Sequence, residues 1–573
     1  MSRAMEIKAR PDKQRTQLNA LDIFSLVCIA VGTGLRFLWV GKRELWYDEA
    51  ISVLMASGQR NAYKLPKGMP FALSDFSDLL NISPEQSVMA SAESVIRATT
   101  GDAHPPLFYL SEHIWMRLFG NSETALRSLV LTASLATLWL AYGLGCRVLG
   151  QRGGLIFTAL FSLNPFFIAH SLNLRMYAPM VLWVVASGSC FLALVDEDKT
   201  LPVQAVQRSK AQAGLNWKRW LLRGGLAISI TAGLLTQYLF AYWLFALAAL
   251  VLYLDRRRWF AHGLTLGAGV LMFVPWVLWG IRQQINNRSD VFDQISSEIG
   301  VWQSFLQHGK DLAQTLANHL LLGQLTTGMV PVEASIKPTA VAVGFGVIGF
   351  LTVCVMGLYR RRQNRVLMIC MLMGFVPLAV ALTADVLANK YTLGFGWGRS
   401  TIAALPGCLL LIAAWLVLAT GRWRSVLVAG LLSVYLLFSL WDLGGRDRQL
   451  FHQVNNELQK TDVPTLVVMN SRAWGNVLRA IYYLEDRANT DLLATDPDKT
   501  TAALSQALIN GDYRRVLWLE AEYPVWAEPK TREQALLLSN ETETLLSADY
   551  TLKNEQVLRG TMDIDRFELK TYQ

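Results

Sequence analysis

Long apolar runs recur along the first 443 residues, and each is long enough to be considered as a membrane-spanning helix. A spanning helix needs about 20 mostly apolar residues. The pattern predicts eleven such helices, of which the fifth and sixth are joined most tightly. They cover roughly residues 19–40, 124–146, 153–172, 178–195, 221–237, 239–254, 262–281, 338–358, 366–386, 401–420 and 425–443. We therefore expect a polytopic α-helical membrane protein.

Short basic clusters between the runs predict the orientation of these helices, because Lys and Arg are enriched in cytoplasmic loops. If the N-terminus is cytoplasmic, five clusters fall on the cytoplasmic side: Arg147/Arg152, 199–223, 256–258, 360–365 and Arg422/Arg424. Three long segments, 41–123, 282–337 and 444–573, then lie outside. The first run follows basic residues at 3–15 and lacks a small-residue cleavage site, so we expect a retained anchor.

The last 130 residues, 444–573, have the pattern of a soluble α/β domain. Residues 464–469 and 515–521 resemble buried strands, 474–485 and 500–510 have helical spacing, and 549–571 alternates like edge strands. The segment Leu107–Phe119 is apolar but short and contains Glu112, His113 and Arg117. We expect it to be an amphipathic helix on the outer leaflet rather than a span.

Composition and charge narrow the class of protein. Hydrophobic residues make up 52% of the chain and charged residues 17%, against about 25% charged residues in soluble proteins. An ordinary soluble enzyme is therefore excluded. The net charge of +9 lies in loop clusters rather than in a stripe, so we expect no nucleic-acid partner. The six cysteines form no CxxC pair and the seven histidines no HExxH motif, which argues against a zinc site.

Adjacent carboxylates follow the first apolar run, at Asp48 and Glu49. A carboxylate here can act as a general base that removes a hydroxyl proton, and it can also hold a divalent ion. Solvated loop acids beside the lipid headgroups are the alternative interpretation. His104 closes the same loop before two prolines, where it either marks a helix start or donates to a phosphate.

Four more polar side chains lie where predicted spans meet the outer interface: Arg127, Arg175, Tyr177 and Arg399. An arginine within the membrane is costly and marks a functional site by default. Interfacial anchoring, or an i,i+4 pair between Arg127 and Glu123, is the alternative explanation. Their common depth favours a site for an anionic, lipid-borne headgroup.

Four motifs in this order resemble those of the GT-C membrane glycosyltransferases: WYDEA (46–50), HPPLFY (104–109), NSETALR (121–127) and LNPFFIAHSLNLRMYA (163–178). The chain is similar to glycosyltransferase family 39, which includes protein O-mannosyltransferases and bacterial lipid A aminoarabinose transferases. The resemblance covers roughly residues 20–280 well and the remaining spans weakly. It implies a GT-C-like domain over residues 1–443, followed by the soluble domain 444–573.

The resemblance also implies a reaction at the outer face of a membrane, by analogy a bacterial plasma membrane. A sugar would pass from a polyprenyl-phosphate donor to a lipid, glycan or protein acceptor. Asp48 would be the general base with Glu49 beside it, and His104 would face the donor phosphate. Arg127, Arg175, Tyr177 and, more loosely, Arg399 would bind substrate. Relatives often carry Asp near Arg175 and this chain does not, which argues against a two-carboxylate metal site. One carboxylate and several cations suffice for the reaction, so we predict an inverting single displacement without an obligatory metal.

Two other functions are compatible with a polytopic chain. A transporter or flippase of lipid-linked substrates predicts internal repeats and polar groups near the midplane, whereas the polar groups here cluster at one face. A scaffold whose tail binds partners leaves the carboxylate and arginine motifs unexplained. For the tail itself, a structural or acceptor-docking role is favoured over a second active site.

Overall fold

The computed structural model describes residues 18–83, 86–204, 209–287, 301–324, 338–393, 395–446, 448–484, 489–522, 529, 531–560 and 565–573. Side chains are not described at 198–216, Val301, Phe395 and Trp397. The basic residues at 3–15, parts of the 199–223 cluster and much of segment 282–337 lie outside this description.

Helices occupy all eleven predicted runs. Within the described residues, eight helical segments are long and apolar enough to cross a membrane: Ala20–Trp39, Glu123–Leu163, Tyr177–Glu197, Arg256–Asn287, Pro338–Arg360, Asn364–Ala388, Gly398–Leu418 and Gly421–Leu458. The fifth and sixth runs form the helices Ser209–Thr236 and Ala241–Leu254, joined by a short turn at Tyr238–Phe240. The polytopic helical fold is confirmed.

The second and third runs form a helical hairpin within Glu123–Leu163, with its two arms joined at Gly150. Gly150 has φ 77°, a left-handed conformation that breaks the helix. The two arms then pack closely, since a Cβ on Gly145 would lie 2.8 Å from Gly154 Cα. The third run also ends earlier than predicted, because Asn164 starts a separate helix, Pro165–Ser171, by accepting a hydrogen bond from Phe167 N at 2.9 Å.

The loop between the first two membrane helices, residues 41–123, is built from short helices. They are Tyr47–Ser57, Val88–Thr99 and Leu107–Phe119, with 3₁₀ turns at Arg60–Ala62 and Leu73–Leu80. Leu107–Phe119 has only 13 residues, too few to span. It buries Phe108 and Met116 and exposes Leu118 and Phe119, as an interfacial helix would.

The tail contributes five strands to a six-stranded mixed sheet with the order β1-β3-β2-β4-β6-β5. The strands are β1 Phe71–Ala72, β2 Thr465–Met469, β3 Thr490–Ala494, β4 Arg515–Ala521, β5 Leu552–Arg559 and β6 Arg566–Tyr572. β3, β2 and β4 are parallel, while β6 is antiparallel to β4 and β5 to β6. The helices are Leu450–Leu458, Trp474–Tyr483, Thr500–Asn510 and Arg532–Asp549. The α/β prediction is confirmed.

Two features of this sheet differ from the expectation. β6 is not an edge strand, because it pairs with β4 on one side and β5 on the other. β1 belongs to the loop 41–123 yet pairs with β3, with Phe71 opposite Leu492. The loop and the tail therefore share one sheet, which fixes the tail against the part of the chain that carries Asp48 and Glu49.

The tail also docks directly on the start of the helix Tyr47–Ser57. A Cβ on Gly475 would lie 2.5 Å from Tyr47 Cγ, so only glycine permits this approach. Glu44 accepts hydrogen bonds from Phe451 N at 3.1 Å and from His452 N at 2.7 Å. Leu45 N donates to Tyr483 Oη at 2.6 Å. These contacts hold the loop and the tail together beside the candidate site.

Candidate functional site

The helix Tyr47–Ser57 places both candidate carboxylates in its first turn. Trp46 is the N-cap residue, and its backbone N donates to Glu49 Oε2 at 3.0 Å, which satisfies one of the free amides of the helix start. Asp48 precedes Glu49 and lies on a different side of the turn. The two neighbours consequently have different surroundings.

Glu49 is fully buried and forms a two-pronged ion pair with Arg127. Arg127 donates from Nε to Oε1 at 2.9 Å and from Nη2 to Oε2 at 2.7 Å, and Leu174 N donates to Oε1 at 2.7 Å. Burial raises the pKa of Glu49, but the charge and hydrogen bonds of Arg127, the charge of Arg43 and the hydrogen bond from Leu174 N together outweigh it, and the pKa is lowered. Glu49 thus joins the loop, the second membrane helix and the segment before Tyr177.

Arg127 uses its remaining donors on the loop backbone. Nη1 donates to Arg43 O at 2.6 Å and Nη2 to Glu44 O at 2.8 Å. Its partner is therefore Glu49, 78 positions away, and not Glu123, whose carboxylate accepts from Tyr483. With its side chain fully buried, Arg127 is placed to position the loop from behind the carboxylates.

Asp48 lies between two guanidinium groups. Arg399 Nη1 donates to Asp48 Oδ2 at 3.1 Å, and Arg175 Nε lies 4.0 Å from the same oxygen. Arg175 Nη1 also donates to Ser52 Oγ at 2.9 Å and to the Asp48 carbonyl at 3.3 Å. The Asp48 side chain is 17% exposed, and Oδ1 accepts no hydrogen bond from the described part of the chain. One carboxylate oxygen is therefore open to a bound hydroxyl group.

A tight turn at Gly398 brings the Arg399 side chain to the Asp48 carboxylate. Gly398 has φ 87°, and a Cβ there would lie 2.9 Å from Thr315 Cγ2. His319 Nε2 donates to Gly398 O at 2.8 Å and anchors the turn. The Arg399 guanidinium then lies over the Tyr177 ring, 5.4 Å from its centroid, and 6.0 Å from that of Trp46. Gly394 of the same motif lies outside the described residues.

His104 belongs to a neighbouring polar group. Its Nδ1 donates to Asp102 Oδ2 at 3.0 Å, and Tyr109 Oη donates to the same oxygen. Burial raises the pKa of Asp102, but His104 and then Arg175 outweigh it and the pKa is lowered. The charge of Arg175 acts on both Asp48 and Asp102, which links this group electrostatically to the Asp48 cluster. Gln284 Nε2 holds the segment by donating to His104 O at 2.8 Å.

The structure therefore divides the sequence-predicted residues into three groups. Asp48, Arg175, Tyr177 and Arg399 meet in one cluster, which we call the Asp48 cluster. Glu49 and Arg127 lie behind it as a buried ion pair, and His104 lies beside it through Asp102. Among the residues described, no group of three or more His, Cys, Asp or Glu side chains could hold a metal ion.

Sequence reasoning missed several residues of the site. Ser52 lies one helical turn after Asp48, a spacing that would have placed both side chains on one face. Trp46 donates from Nε1 to Asn173 Oδ1 at 2.9 Å and ties the loop to the Arg175 segment. Glu112 is fully buried, and neither of its oxygens has a hydrogen-bond partner within the described ranges. Burial raises the pKa of Glu112 well above its ordinary value.

Comparisons with known proteins bear on the predicted resemblance. The profile of the dolichyl-phosphate-mannose-protein mannosyltransferase family matches residues 103–279, a segment that contains His104, Arg127, Arg175 and Tyr177. A search of curated protein sequences finds no significant match.

Two proteins with solved structures, ArnT and AglB, align with most of this chain at low sequence identity. ArnT from Cupriavidus metallidurans in the apo state is 14% identical, with a TM-score of 0.40 and coverage of 96% of this chain and 98% of ArnT. The structure of the same protein bound to undecaprenyl phosphate is 13% identical, with a TM-score of 0.39 and the same coverage of both chains. The oligosaccharyltransferase AglB from Archaeoglobus fulgidus is 12% identical, with a TM-score of 0.42 and coverage of 86% of this chain and 69% of AglB. The family match confirms, over residues 103–279, the predicted resemblance of this chain to the GT-C membrane glycosyltransferases.

Proposed function

We propose that this protein transfers a sugar from a polyprenyl-phosphate-linked donor to a hydroxyl-bearing acceptor at the extracytoplasmic face of the membrane. The observation that carries the proposal is the Asp48 cluster. It combines a partly exposed carboxylate with two arginines, at 3.1 Å and 4.0 Å, in a membrane protein. The acceptor belongs to one of three classes, a lipid, a glycan or a protein.

The reaction we propose is a single displacement with inversion at the anomeric carbon. Asp48 takes the proton of the acceptor hydroxyl as its oxygen bonds to the anomeric carbon. The bond from that carbon to the phosphate oxygen breaks, and the electron pair leaves with the polyprenyl phosphate. Asp48 Oδ1 accepts no hydrogen bond from the described residues, which suits it to receive the proton.

The arginines are suited to the leaving group. The donor phosphodiester carries one negative charge and the released phosphate two, so cations at this position stabilise the transition state more than the ground state. Arg175 Nε is buried and has no hydrogen-bond partner among the described atoms. We therefore assign Arg175 and Arg399 to the donor phosphate, with His104 and Tyr177 bordering the site. Glu49 and Arg127 position the loop.

Replacing Arg175 with alanine tests the donor assignment. A hydrogen bond to a charged group contributes about 1.5–3 kcal/mol, so we expect kcat/KM for the donor to fall roughly 10- to 100-fold, with little change in KM for the acceptor. Arg175→Lys should recover only part of this loss, because a point charge lacks the planar fork. Arg97→Ala is a matched control, since Arg97 lies in the loop 41–123 that carries Asp48 and its side chain is 68% exposed. An equal fall in kcat/KM for the donor and for the acceptor would contradict the assignment.

The reaction itself is tested by reconstituting the protein in vesicles with a panel of undecaprenyl-phosphate-linked hexoses and pentoses. An extract of envelope lipids, glycans and proteins supplies the acceptor, and released undecaprenyl phosphate is measured by chromatography. We expect acceptor-dependent release from at least one donor. Movement of intact donor between leaflets without release would instead support a flippase.

The orientation is tested by labelling a new cysteine in the tail. Ser547 is exposed on the helix Arg532–Asp549, whereas all six native cysteines are buried or half-buried. We expect a membrane-impermeant maleimide to label Ser547→Cys in intact cells, because the basic clusters resist crossing the membrane. Labelling only after lysis would place the Asp48 cluster on the wrong side for an extracytoplasmic donor.

A further inference from the structure

The tail contains a cavity of about 280 Å³ that the proposed transfer reaction does not use. It lies at the carboxyl end of the parallel strands, between Asn470 after β2 and Glu520 near the end of β4. β2 is flanked by β3 on one side and β4 on the other, so the chain changes direction across the sheet here. In open α/β sheets, ligands bind in the crevice at this switch point.

The walls of the cavity combine hydrogen-bonding groups with apolar surface. Trp518 and Glu520 lie two residues apart on β4 and so face the same side of the sheet, beneath the helix Arg532–Asp549. Ser539 of that helix lines the cavity and donates to Glu520 Oε2 at 2.9 Å. Val557 and Pro497 add apolar surface. Ligand sites typically have this mixture of a few polar groups and apolar walls.

One donor in this wall is unsatisfied. Trp518 is 1% exposed, and its Nε1 has no hydrogen-bond partner among the residues that the structure describes. A buried indole N–H without a partner costs about 1–3 kcal/mol. Trp518 lines the cavity, and a ligand oxygen that reaches Nε1 would remove this cost.

The charges select the class of ligand. Four carboxylates lie within 4 Å of Lys570 Nζ, those of Glu520, Glu543, Glu555 and Glu568. The cavity is lined by three carboxylates, those of Glu520, Glu522 and Glu568, and by two guanidinium groups, those of Arg532 and Arg566. Arg566 Nε lies 2.6 Å from Glu522 Oε2. The charges of the lining are therefore largely balanced, which favours an uncharged ligand over phosphates and acidic sugars. A nucleotide is further disfavoured because no glycine-rich loop follows β2, where the sequence reads Asn-Ser-Arg-Ala-Trp-Gly.

We infer that this cavity is a carbohydrate-binding site for one uncharged sugar residue. Its carboxylates and hydroxyl side chains match the hydroxyl groups of a sugar, its indole N–H matches a ring or hydroxyl oxygen, and its apolar wall matches the C–H face. The volume, near the lower end of the roughly 300–1,000 Å³ of ligand pockets, suits a single ring. The inference is independent of the proposed transfer, because binding here requires neither donor nor Asp48.

The site has a route to the Asp48 cluster. The chain leaves the cavity at Asn470 and enters the helix Trp474–Tyr483 four residues later. Gly475 of this helix packs on Tyr47, directly before Asp48. A sugar bound at β2 and β4 would therefore be one helix away from the helix Tyr47–Ser57.

Saturation-transfer difference NMR on the full-length protein in lipid nanodiscs tests the inference, with glucose, N-acetylglucosamine and glucuronic acid as probes. We expect a saturation-transfer signal from one or both uncharged sugars and no signal from glucuronic acid. Trp518→Phe keeps the ring but removes the N–H donor, and should weaken binding about threefold to tenfold. Glu520→Gln should also weaken it. Trp217→Phe and Glu541→Gln, at exposed positions, are matched controls with binding unchanged.

Three results would overturn the inference. The first is the absence of a saturation-transfer signal from both uncharged sugars. The second is a signal from glucuronic acid as strong as that from the uncharged sugars. The third is sugar binding that neither cavity variant changes. The Asp48→Asn protein separates this site from the transfer reaction. We expect it to keep the full signal, and loss of the signal would move the bound sugar to the Asp48 cluster. A failure of the proposed transfer reaction leaves this result unchanged.

Discussion

Replacing Asp48 with asparagine is expected to slow sugar transfer by roughly 10²- to 10⁴-fold, the usual contribution of a positioned general base. Asparagine retains the size of the side chain and can still accept a hydrogen bond from Arg399, so we expect normal folding. The rate of undecaprenyl phosphate release measures the effect. Asp75→Asn is a matched control, because Asp75 is an exposed aspartate of the same loop.

The comparison with Glu49 makes this prediction specific. Asp48 is partly exposed and has an unengaged oxygen, whereas Glu49 is saturated by Arg127 and two backbone amides. We expect Glu49→Gln to lower stability as well as activity, and Asp48→Asn to lower activity alone. Near-normal turnover in Asp48→Asn would contradict its role as base. A larger loss of rate in Glu49→Gln at equal stability would move that role to Glu49.

Replacing Arg127 with methionine is expected to destabilise the protein strongly. The variant leaves the Glu49 carboxylate buried without its cation, and removing one partner of a buried ion pair typically costs about 3–5 kcal/mol. The midpoint of thermal unfolding, followed for the purified protein in detergent, measures this loss. Arg147→Met is a matched control. We expect it to leave the midpoint of thermal unfolding almost unchanged, because Arg147 and its partner Asp196 are 42% and 48% exposed.

A double variant distinguishes the ion pair from simple packing. Replacing both Arg127 and Glu49 with apolar residues removes the unpaired charge, and such replacements of buried ion pairs are often neutral. We expect Arg127→Met with Glu49→Leu to recover much of the stability lost in Arg127→Met. An Arg127→Met protein as stable as the wild type, or a double variant less stable than either single variant, would contradict this account.

The membrane fold was accessible from the sequence because its signals are local. Length and apolarity located the helical runs. In the tail, short apolar runs located β2 and β4, and alternation located β5 and β6. The break at Gly150 falls between the second and third predicted runs. The early end at Asn164 depends on a single residue inside apolar sequence, and so it was not recognised. β1 has only two residues, Phe71 and Ala72, and its partner β3 lies more than 400 positions later. No local pattern indicates that pairing.

The candidate site was partly accessible for a related reason. Common depth in the membrane identified Arg175, Tyr177 and Arg399 as neighbours of Asp48, and the structure brings them together. Depth does not determine which charges pair, however. The sequence offered Glu123 to Arg127 at helical spacing, but the fold supplies Glu49, which accepts two hydrogen bonds in a buried position. Long-range pairing of this kind requires the tertiary structure.

The most direct measurement of the central claim is mass spectrometry of envelope lipids, glycans and proteins from cells that express either the wild-type protein or Asp48→Asn at equal levels. The account predicts a species in wild-type cells that carries one more sugar residue than its counterpart in Asp48→Asn cells, where the unmodified acceptor accumulates. Identical profiles in the two strains, with both proteins folded and present in the membrane, would contradict Asp48-dependent sugar transfer.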